Sequence, residues 1–353
     1  MKKVGIILAL LLVASVFVSG CASNNENKGN TSSNTNGAQV SSINKLSIGF
    51  QPSTHQIAYM TAASKGWWVS DLAPYGIQNV EEHEFQTGPP EMTAMLAGDI
   101  DVAYVGAAPF LTALSNNDLD AKIVAAVQVN GSSLVLEPGT KYEGPQDLKN
   151  TNITTYPPGS IQDTLLRKWL TKNGLDPKKD LKIIGLPSAG DSVTAVVTKR
   201  ANGAFLPHPY PTIIEKQLNG SRIVVQSGEM EPNHVCCVLV VSGKLIKEHP
   251  DIVEQIVKTH INATNYDNAH MDEAAQIFSN KTSIDLETVK ASFKEWDGRW
   301  ISDPSVIENS TIDFSNTLYQ MNYTQKQLTK DDIFDTSFYD KAVNESGTTA
   351  SAK

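Results

Sequence analysis

Apolar and polar residues alternate along this chain in a way that predicts strands and helices in turn, most clearly over residues 85–109. A predicted strand ends at Phe85, and a Gly-Pro-Pro turn then opens an amphipathic helix that ends at Gly98. The apolar run over residues 100–105 predicts a second strand, after which small residues open another helix. Two loops at strand ends therefore present backbone N–H groups at helix starts, an arrangement that binds small anions in open α/β sheets.

The same rhythm of strand, small-residue turn and helix continues along the chain and restarts about a hundred residues later. The predicted strands cover residues 46–50, 76–85, 100–105, 122–129, 152–156, 181–186, 202–206, 221–225 and 235–241. Beyond them the chain is predicted to be helical over residues 250–270, 271–279, 285–296 and 304–320, with Asp285 and Asp303 as N-caps. The pattern indicates an α/β protein whose two halves share an architecture, followed by C-terminal helices.

Composition and charge exclude several classes of protein. The 353 residues are 40% hydrophobic and 19% charged, as in a globular protein with room for two domains. The net charge of −9 and the lack of any basic block outside Lys2 and Lys3 argue against nucleic acid as a partner. A small anion is compatible with this charge, because a local cluster of N–H dipoles can override it.

The N-terminus of the chain predicts export. Lys2 and Lys3 precede an almost wholly apolar run over residues 4–18, and the Val-Ser-Gly that ends before Cys21 resembles a bacterial-type lipobox. We therefore predict a signal peptide over residues 1–20 and diacylglyceryl attachment to the sulfur of Cys21. An ordinary signal peptide and a short membrane anchor are the alternatives.

Polar segments flank the part of the chain that is predicted to fold. Residues 21–44 are rich in Asn, Ser, Thr and Gly, which predicts a lipid-anchored flexible tether, and residues 346–353 predict a disordered tail. A folded domain that is held by a lipid on such a tether works on the outer face of the cell membrane. We therefore predict an extracytoplasmic, membrane-anchored protein.

The other two cysteines, Cys236 and Cys237, are sequence neighbours in an apolar run. A disulfide between neighbours is strained, so the pattern favours two buried strand thiols. The sequence shows no Cys/His cluster with metal-ligand spacing, no phosphate loop and no dinucleotide fingerprint. We therefore predict no metal, no cofactor and no catalytic residue.

An ordered set of motifs between residues 46 and 264 gives the chain a family resemblance. Its most specific piece is Asp-Ile-Asp-Val at 99–102. The other motifs, in chain order, are FQTG at 85–88, MTAMLAG at 92–98, DLK at 147–149, PGS at 158–160, NGAF at 202–205 with Pro209-Tyr210, and CCVLVV at 236–241 before His249-Pro250. This set resembles the substrate-binding lipoproteins of ABC importers in the nitrate/sulfonate/taurine group. Asn202 and His208 depart from the family pattern, which often has Asp and an acidic or amide residue there, and this leaves the ligand open.

The resemblance implies a type II periplasmic-binding-protein fold, in which two α/β lobes are joined by two crossing segments and close on a ligand between them. The implied boundaries are residues 45–136 for the first part of lobe 1, 137–234 for lobe 2, and 235–345 for the return to lobe 1 with the C-terminal helices. The implied partners are a small anionic solute and the permease and ATPase subunits of an ABC importer. We expect a monomer that is not an enzyme.

The residues themselves place candidate ligand contacts in loops at the C-terminal ends of the predicted strands, where hydroxyls, amides and helix-start N–H groups suit an oxyanion. These candidates are Gln51, Ser53, Thr54, His55, Gln56, Thr87, Gly88, Gly106, Ala107, Gln128, Asn130, Gly159, Ser160, Gln162, Asp191, His208 and Tyr210. The serines and threonines among them also suit N-caps, and the glycines also suit turn geometry. His55 and His208 are the sharpest candidates.

The predicted function is capture of a nitrate-, sulfonate- or taurine-like oxyanion for an ABC importer. Two alternatives are an enzyme on the same fold that makes a pyrimidine precursor, and a surface sensor that binds the same ligand without feeding a transporter. The export signal and the lack of metal-ligand spacing argue against the enzyme.

Overall fold

The computed structural model describes residues 43–346. The predicted signal peptide, the lipid attachment at Cys21, the tether up to residue 42 and the tail from residue 347 lie outside the described residues. Within the described range, every helix is too short or too polar to cross a membrane.

Eleven strands in the described range form two sheets. In chain order they are β1 (Lys45–Phe50), β2 (Asn79–Glu84), β3 (Val102–Gly106), β4 (Ala121–Val129), β5 (Ser132–Leu136), β6 (Asn152–Thr155), β7 (Lys182–Gly185), β8 (Gly203–Pro207), β9 (Arg222–Gln226), β10 (Val235–Ser242) and β11 (Arg299–Trp300). Lobe 1 carries a six-stranded sheet of order β11-β4-β10-β3-β1-β2, and lobe 2 a five-stranded sheet of order β7-β6-β8-β5-β9. The predicted two-lobe α/β architecture is therefore confirmed.

Fifteen α-helices accompany these sheets within residues 43–346. They are α1 (Ile57–Ser64), α2 (Trp67–Leu72), α3 (Gly88–Ala97), α4 (Ala107–Asn116), α5 (Ile161–Lys172), α6 (Ala189–Val197), α7 (Tyr210–Gln217), α8 (Ser227–Met230), α9 (Gly243–Glu248), α10 (Pro250–Ala269), α11 (Met271–Thr282), α12 (Leu286–Glu295), α13 (Glu308–Gln320), α14 (Lys330–Ile333) and α15 (Ser337–Ser346).

The centre of the lobe 1 sheet is buried on both faces. Strands β3 and β10 have near-continuous apolar sequences, which is the pattern that a strand without a solvent face requires. β10 runs antiparallel to both of its neighbours, β3 and β4. Because of this direction, the first residues of β10 lie beside the last residue of β3, so that Cys237 is paired with Gly106. The start of one strand and the end of another therefore meet at the edge that faces lobe 2.

The chain crosses between the sheets twice, at Asn130–Gly131 between β4 and β5, and again between α8 and β10. The residues of β5, which were assigned to lobe 1, pair with β8 and β9 in the lobe 2 sheet. A five-residue apolar strand is suited to either sheet, so its place is decided by its pairing partners and not by its own sequence.

All nine predicted strands are present with bounds close to those expected, whereas β5 and β11 were not predicted. Asp285 caps α12 as predicted, since its carboxylate accepts the N–H of Thr288 at 3.0 Å. Asp303 also acts as an N-cap, but of a short 3-10 turn that precedes α13. Helix α7 was not predicted; the structure uses Pro211 in its first turn, where a missing N–H costs nothing.

Candidate functional site

A small cavity of about 30 Å³ lies between the two lobes, beside the C-terminal ends of β1, β3 and β6. Both lobes contribute to its lining, which consists of Gln51, Ser53, His55, Thr87, Gly88, Gly106, Pro109, Tyr156, Ser160, Ile161, Gln162, Pro207, Cys236 and Cys237. This volume admits roughly two or three water molecules. In this conformation the cavity therefore fits only a compact ligand.

Three helices begin at the cavity wall. Helix α3 begins at Gly88, and the N-caps of α4 and α5 are Gly106 and Ser160, all of which line the cavity. The first N–H groups of a helix have no partner within the helix and carry the positive end of its dipole. Since α3 and α4 belong to lobe 1 and α5 to lobe 2, the positive helix ends approach the cavity from both sides.

The side chains that line the cavity are polar or apolar but not formally charged. Among the described lining residues, none is Asp, Glu, Lys or Arg. Behind the lining residue Gln51 lies the carboxyl of Glu91, which is buried and accepts a hydrogen bond from Nε2 of Gln51 at 2.7 Å. Burial raises the pKa of Glu91 well above its ordinary value, which favours the neutral acid. The described lining residues therefore present dipoles and hydrogen-bonding groups to a ligand, and no carboxylate.

His55 is fixed from both sides of its ring. Its Nε2 lies 2.7 Å from the carbonyl oxygen of Gly131, and its Nδ1 lies 3.2 Å from Sγ of Cys236. A carbonyl can only accept, so Nε2 carries a proton, and Nδ1 is the ring nitrogen that faces the thiol. The ring is 1% exposed.

Cys236 and Cys237 are both buried and free, which confirms the prediction of two buried strand thiols. Their sulfurs lie 3.9 Å apart, and Nε2 of Gln56 lies 3.9 Å from Sγ of Cys237. The contact between the two sulfurs lowers the pKa of the Cys237 thiol and, together with burial, raises the pKa of Cys236.

Two of the predicted ligand contacts join the lobes instead of facing the cavity. The hydroxyl of Thr54 donates to the carbonyl oxygen of His208 at 2.7 Å, and the phenol of Tyr210 donates to the carbonyl oxygen of Pro52 at 3.1 Å. Both bonds run between lobe 1 and lobe 2. In this structure the two lobes are therefore in direct contact beside the cavity.

His208, one of the two sharpest candidates, lies outside the cavity lining. Its Nε2 contacts Oγ of Ser133 at 2.8 Å, and its Nδ1 contacts Oγ of Ser292 at 3.0 Å. Burial lowers the pKa of His208 to about 3. This histidine is neutral at ordinary pH and connects β5 to α12.

Three amide candidates support the loops around the cavity. Oε1 of Gln56 accepts the backbone N–H of Gln51 at 2.6 Å. Nε2 of Gln128 donates to the carbonyl oxygens of Val129 and Asn130, both at 2.8 Å. Asn130 itself has a positive φ of 56° in the crossing segment. These side chains hold the backbone that carries the lining residues.

The remaining candidates divide between the cavity and the outside. Eight predicted residues line the cavity, namely Gln51, Ser53, His55, Thr87, Gly88, Gly106, Ser160 and Gln162. Ala107 and Gly159 are direct neighbours of lining residues. Asp191 does not line the cavity. It is exposed in the first turn of α6, where it accepts a hydrogen bond from the Ser188 hydroxyl at 2.7 Å.

Sequence reasoning missed six lining residues, which are Pro109, Tyr156, Ile161, Pro207, Cys236 and Cys237. Tyr156 directly follows β6, so the rule that selected the other strand-end residues also applies to it. The two cysteines lie at the start of β10, where no rule about strand C-termini points. Only the antiparallel pairing with β3 brings them to the site.

Comparisons with known proteins agree with this architecture. A model of the NMT1-like family matches residues 41–279 of the chain, which is more than half of it. A protein of Bacillus subtilis (strain 168) named as an aliphatic sulfonates-binding protein is 25% identical over 342 residues, which is 95% of this chain and 96% of that protein.

Two solved structures share the fold. The periplasmic nitrate-binding protein NrtA from Synechocystis PCC 6803 superposes with a TM-score of 0.75 at 17% identity, covering 87% of this chain and 90% of that one. The periplasmic aliphatic sulphonate binding protein SsuA from Escherichia coli gives 0.70 at 16% identity, covering 83% and 92%. The predicted resemblance to sulfonate- and nitrate-binding proteins is confirmed, and the chain belongs to the NMT1-like family.

Proposed function

We propose that this chain is an extracytoplasmic solute-binding lipoprotein that captures a small oxyanion between its lobes and delivers it to an ABC importer. The observation that carries the proposal is the convergence of three helix N-termini, those of α3, α4 and α5, on one cavity. Such N-termini bind anions through backbone N–H groups and the helix dipole. A cavity that receives them from both lobes suits a ligand whose negative charge is spread over several oxygens.

The surroundings of the cavity support an anion over a cation. The described lining residues include no carboxylate, and the raised pKa of Glu91 favours its neutral form in the wall behind Gln51. A bound anion would therefore meet no full negative charge from a carboxylate of the wall. The hydroxyl groups of Ser53, Thr87 and Ser160 add neutral donors.

The names of the relatives support a role in binding for import. The Bacillus subtilis relative is named for aliphatic sulfonates, and the two structural neighbours are named for nitrate and for aliphatic sulphonates. All three are named as binding proteins, which favours capture of a solute over catalysis. The interlobe bonds of Thr54 and Tyr210 supply contacts that would form on closure around the solute.

The proposal is tested by calorimetric titration of the purified full chain with nitrate, methanesulfonate and taurine, with urea and methylammonium as neutral and cationic comparisons. We expect one of the anionic or sulfonate-bearing compounds to bind with one site per chain. Heat that appears only with the neutral or the cationic compound would overturn the anion proposal.

Replacing Ser160 by alanine should weaken binding of that anion by about tenfold or more, which is about 1.4 kcal/mol. Oγ of Ser160 accepts the N–H of Asp163, so its hydroxyl hydrogen is left to donate into the cavity. The measurement is the dissociation constant by the same titration, together with a thermal melt that reports the loss of the N-cap, about 1 kcal/mol.

Ser188→Ala is the matched control for this variant. Ser188 caps α6 in the same way, by accepting the N–H of Asp191 at 3.1 Å, but it does not line the cavity. It should lose a similar amount of stability and keep the affinity of the natural protein. Equal affinities in the Ser160→Ala and Ser188→Ala variants would show that Ser160 acts as a cap only.

A further inference from the structure

A cluster of three potential metal ligands lies in the wall of the cavity, apart from the helix starts and hydroxyl groups on which the anion proposal rests. The ligand atoms of His55, Cys236 and Cys237 all lie within 4.8 Å of one another, and all three residues are buried. Two thiolates on one tetrahedral Zn²⁺, with bonds of about 2.3 Å, lie about 3.8 Å apart. The two sulfurs here are separated by 3.9 Å, so their spacing already suits a shared ion.

The backbone of β10 explains how neighbouring residues can both face the same point. Successive side chains of a regular strand point to opposite faces of the sheet. The register of β10 against β4 shifts between Val235 and Cys237, and again between Cys237 and Val238. Such a bulge inserts a residue into one strand and redirects its side chains. It places both thiols on the side where His55 lies.

The imidazole of His55 is held as metal-binding histidines are held. Its Nε2–H donates to the carbonyl oxygen of Gly131 at 2.7 Å, which turns Nδ1 toward the thiols. A carbonyl or carboxylate partner for the second ring nitrogen is the usual outer-shell feature of a histidine ligand. Nε2 of Gln56, at 3.9 Å from Sγ of Cys237, places an amide donor beside one sulfur.

We propose that His55, Cys236 and Cys237 bind one thiolate-preferring metal ion, Zn²⁺ or Cu⁺, in the floor of the interlobe cavity. Thiolate and imidazole ligands favour these ions over the hard cations Mg²⁺ and Ca²⁺. Two sulfurs and one nitrogen leave a fourth position of a tetrahedral Zn²⁺ open, and all three residues line the cavity, so that position faces the ligand space. The metal site does not depend on the proposed oxyanion, since none of its three ligands is a group that the anion proposal uses.

The test begins with the full chain, stripped of metal by a chelator and kept reduced. Addition of Co²⁺ should produce a near-ultraviolet thiolate-to-cobalt charge-transfer band that saturates at one ion per chain, and Zn²⁺ should abolish it. Cu⁺ is titrated separately against a chromophoric competitor. The readout involves no anion, so the outcome here and the outcome of the anion titration are independent.

The variants Cys236→Ser, Cys237→Ser and His55→Gln should each lower the metal affinity at least tenfold and weaken or shift the cobalt band. Cys21→Ser and His83→Gln are matched controls, because Cys21 is the remaining cysteine of the sequence and His83 lies outside the cluster. Both controls should keep the affinity and the spectrum.

A serine variant that fails to fold is replaced by the alanine variant, which buries no polar atom in place of the thiol. Metal binding that persists unchanged in the Cys236 and Cys237 variants would overturn the proposal. Loss of metal binding in Cys21→Ser would also overturn it. The proposal would likewise fail if the natural protein bound neither Zn²⁺ nor Cu⁺ through Cys236 and Cys237.

Discussion

Gly131→Ala is expected to destabilise the protein by about 3 kcal/mol, since it combines backbone strain with a collision. Gly131 has a φ of +88° in the first crossing segment, and its carbonyl oxygen holds His55. A Cβ at this position would collide with Nε2 of Gln128 and come within 3.0 Å of Nε2 of His55. The amide of Gln128 would then lose its bonds to the carbonyl oxygens of the crossing segment.

Gly139→Ala separates the two contributions. Gly139 has a φ of +84°, nearly the same as Gly131, but nothing lies within 4 Å of an added Cβ. This variant should therefore lose only the strain of a left-handed alanine, about 1 kcal/mol. The free energy of unfolding is measured for both variants by urea titration. Equal losses would mean that the crowding around Gly131 relaxes without cost.

Asp267→Asn should remove a pH dependence of stability between pH 4 and pH 7. Asp267 is buried in the last turn of α10, where Oδ1 accepts the hydroxyl of Thr61 at 2.6 Å and Oδ2 has no protein partner. Burial raises its pKa from 3.8 to about 7, against the lowering effect of the Thr61 hydroxyl. The folded protein therefore keeps a proton that the unfolded chain has already lost.

The sign of the effect follows from this difference. Below pH 3.8 both states hold the proton and Asp267 has no effect on stability. As the pH rises from 3.8 to about 7, Asp267 loses its proton in the unfolded state but keeps it in the folded state. The free energy of unfolding of the natural protein therefore falls, by roughly 4 kcal/mol in total at about pH 7. Asparagine does not titrate and keeps an acceptor for Thr61. The unfolding free energy of Asp267→Asn minus that of the natural protein should rise across this window and be constant above it.

The measurement is urea unfolding of both proteins at several pH values, in which the titrations of other groups cancel in the difference. Asp272→Asn, at an aspartate of the same helical region whose side chain is 90% exposed, is the control for the substitution itself. A flat difference for Asp267→Asn would show that its carboxyl is already ionised in the folded protein near pH 4.

Half of the candidate site could be predicted because it obeys a local rule. Residues that follow parallel strands meet at one edge of the sheet, so Gln51, Thr87 and Gly106 were found from the ends of predicted strands. The same rule selected His208 and Tyr210, and the structure directs both to other partners. A strand end fixes where a residue lies, whereas the direction of its side chain depends on neighbours that are distant in sequence.

Helix caps show the same division between local and distant causes. The cap of α12 by Asp285 involves residues three apart, so the sequence contains all that is needed to predict it. The boundary of lobe 1 involves β5, whose partners β8 and β9 lie about 70 to 90 residues later in the chain. Its apolar sequence is compatible with either sheet, so the sequence of β5 does not decide which sheet it joins.

The sequence by itself was enough to predict the α/β class, the family resemblance and the positions of nearly all strands along the chain. It was also enough to predict most of the loops around the cavity. Each of these features follows from residue spacing within one element or one turn. The tertiary structure alone decided which three helix starts converge, and that a bulge in β10 brings Cys236 and Cys237 together with His55. Those features depend on the register between strands and on contacts across more than a hundred residues, which no local pattern encodes.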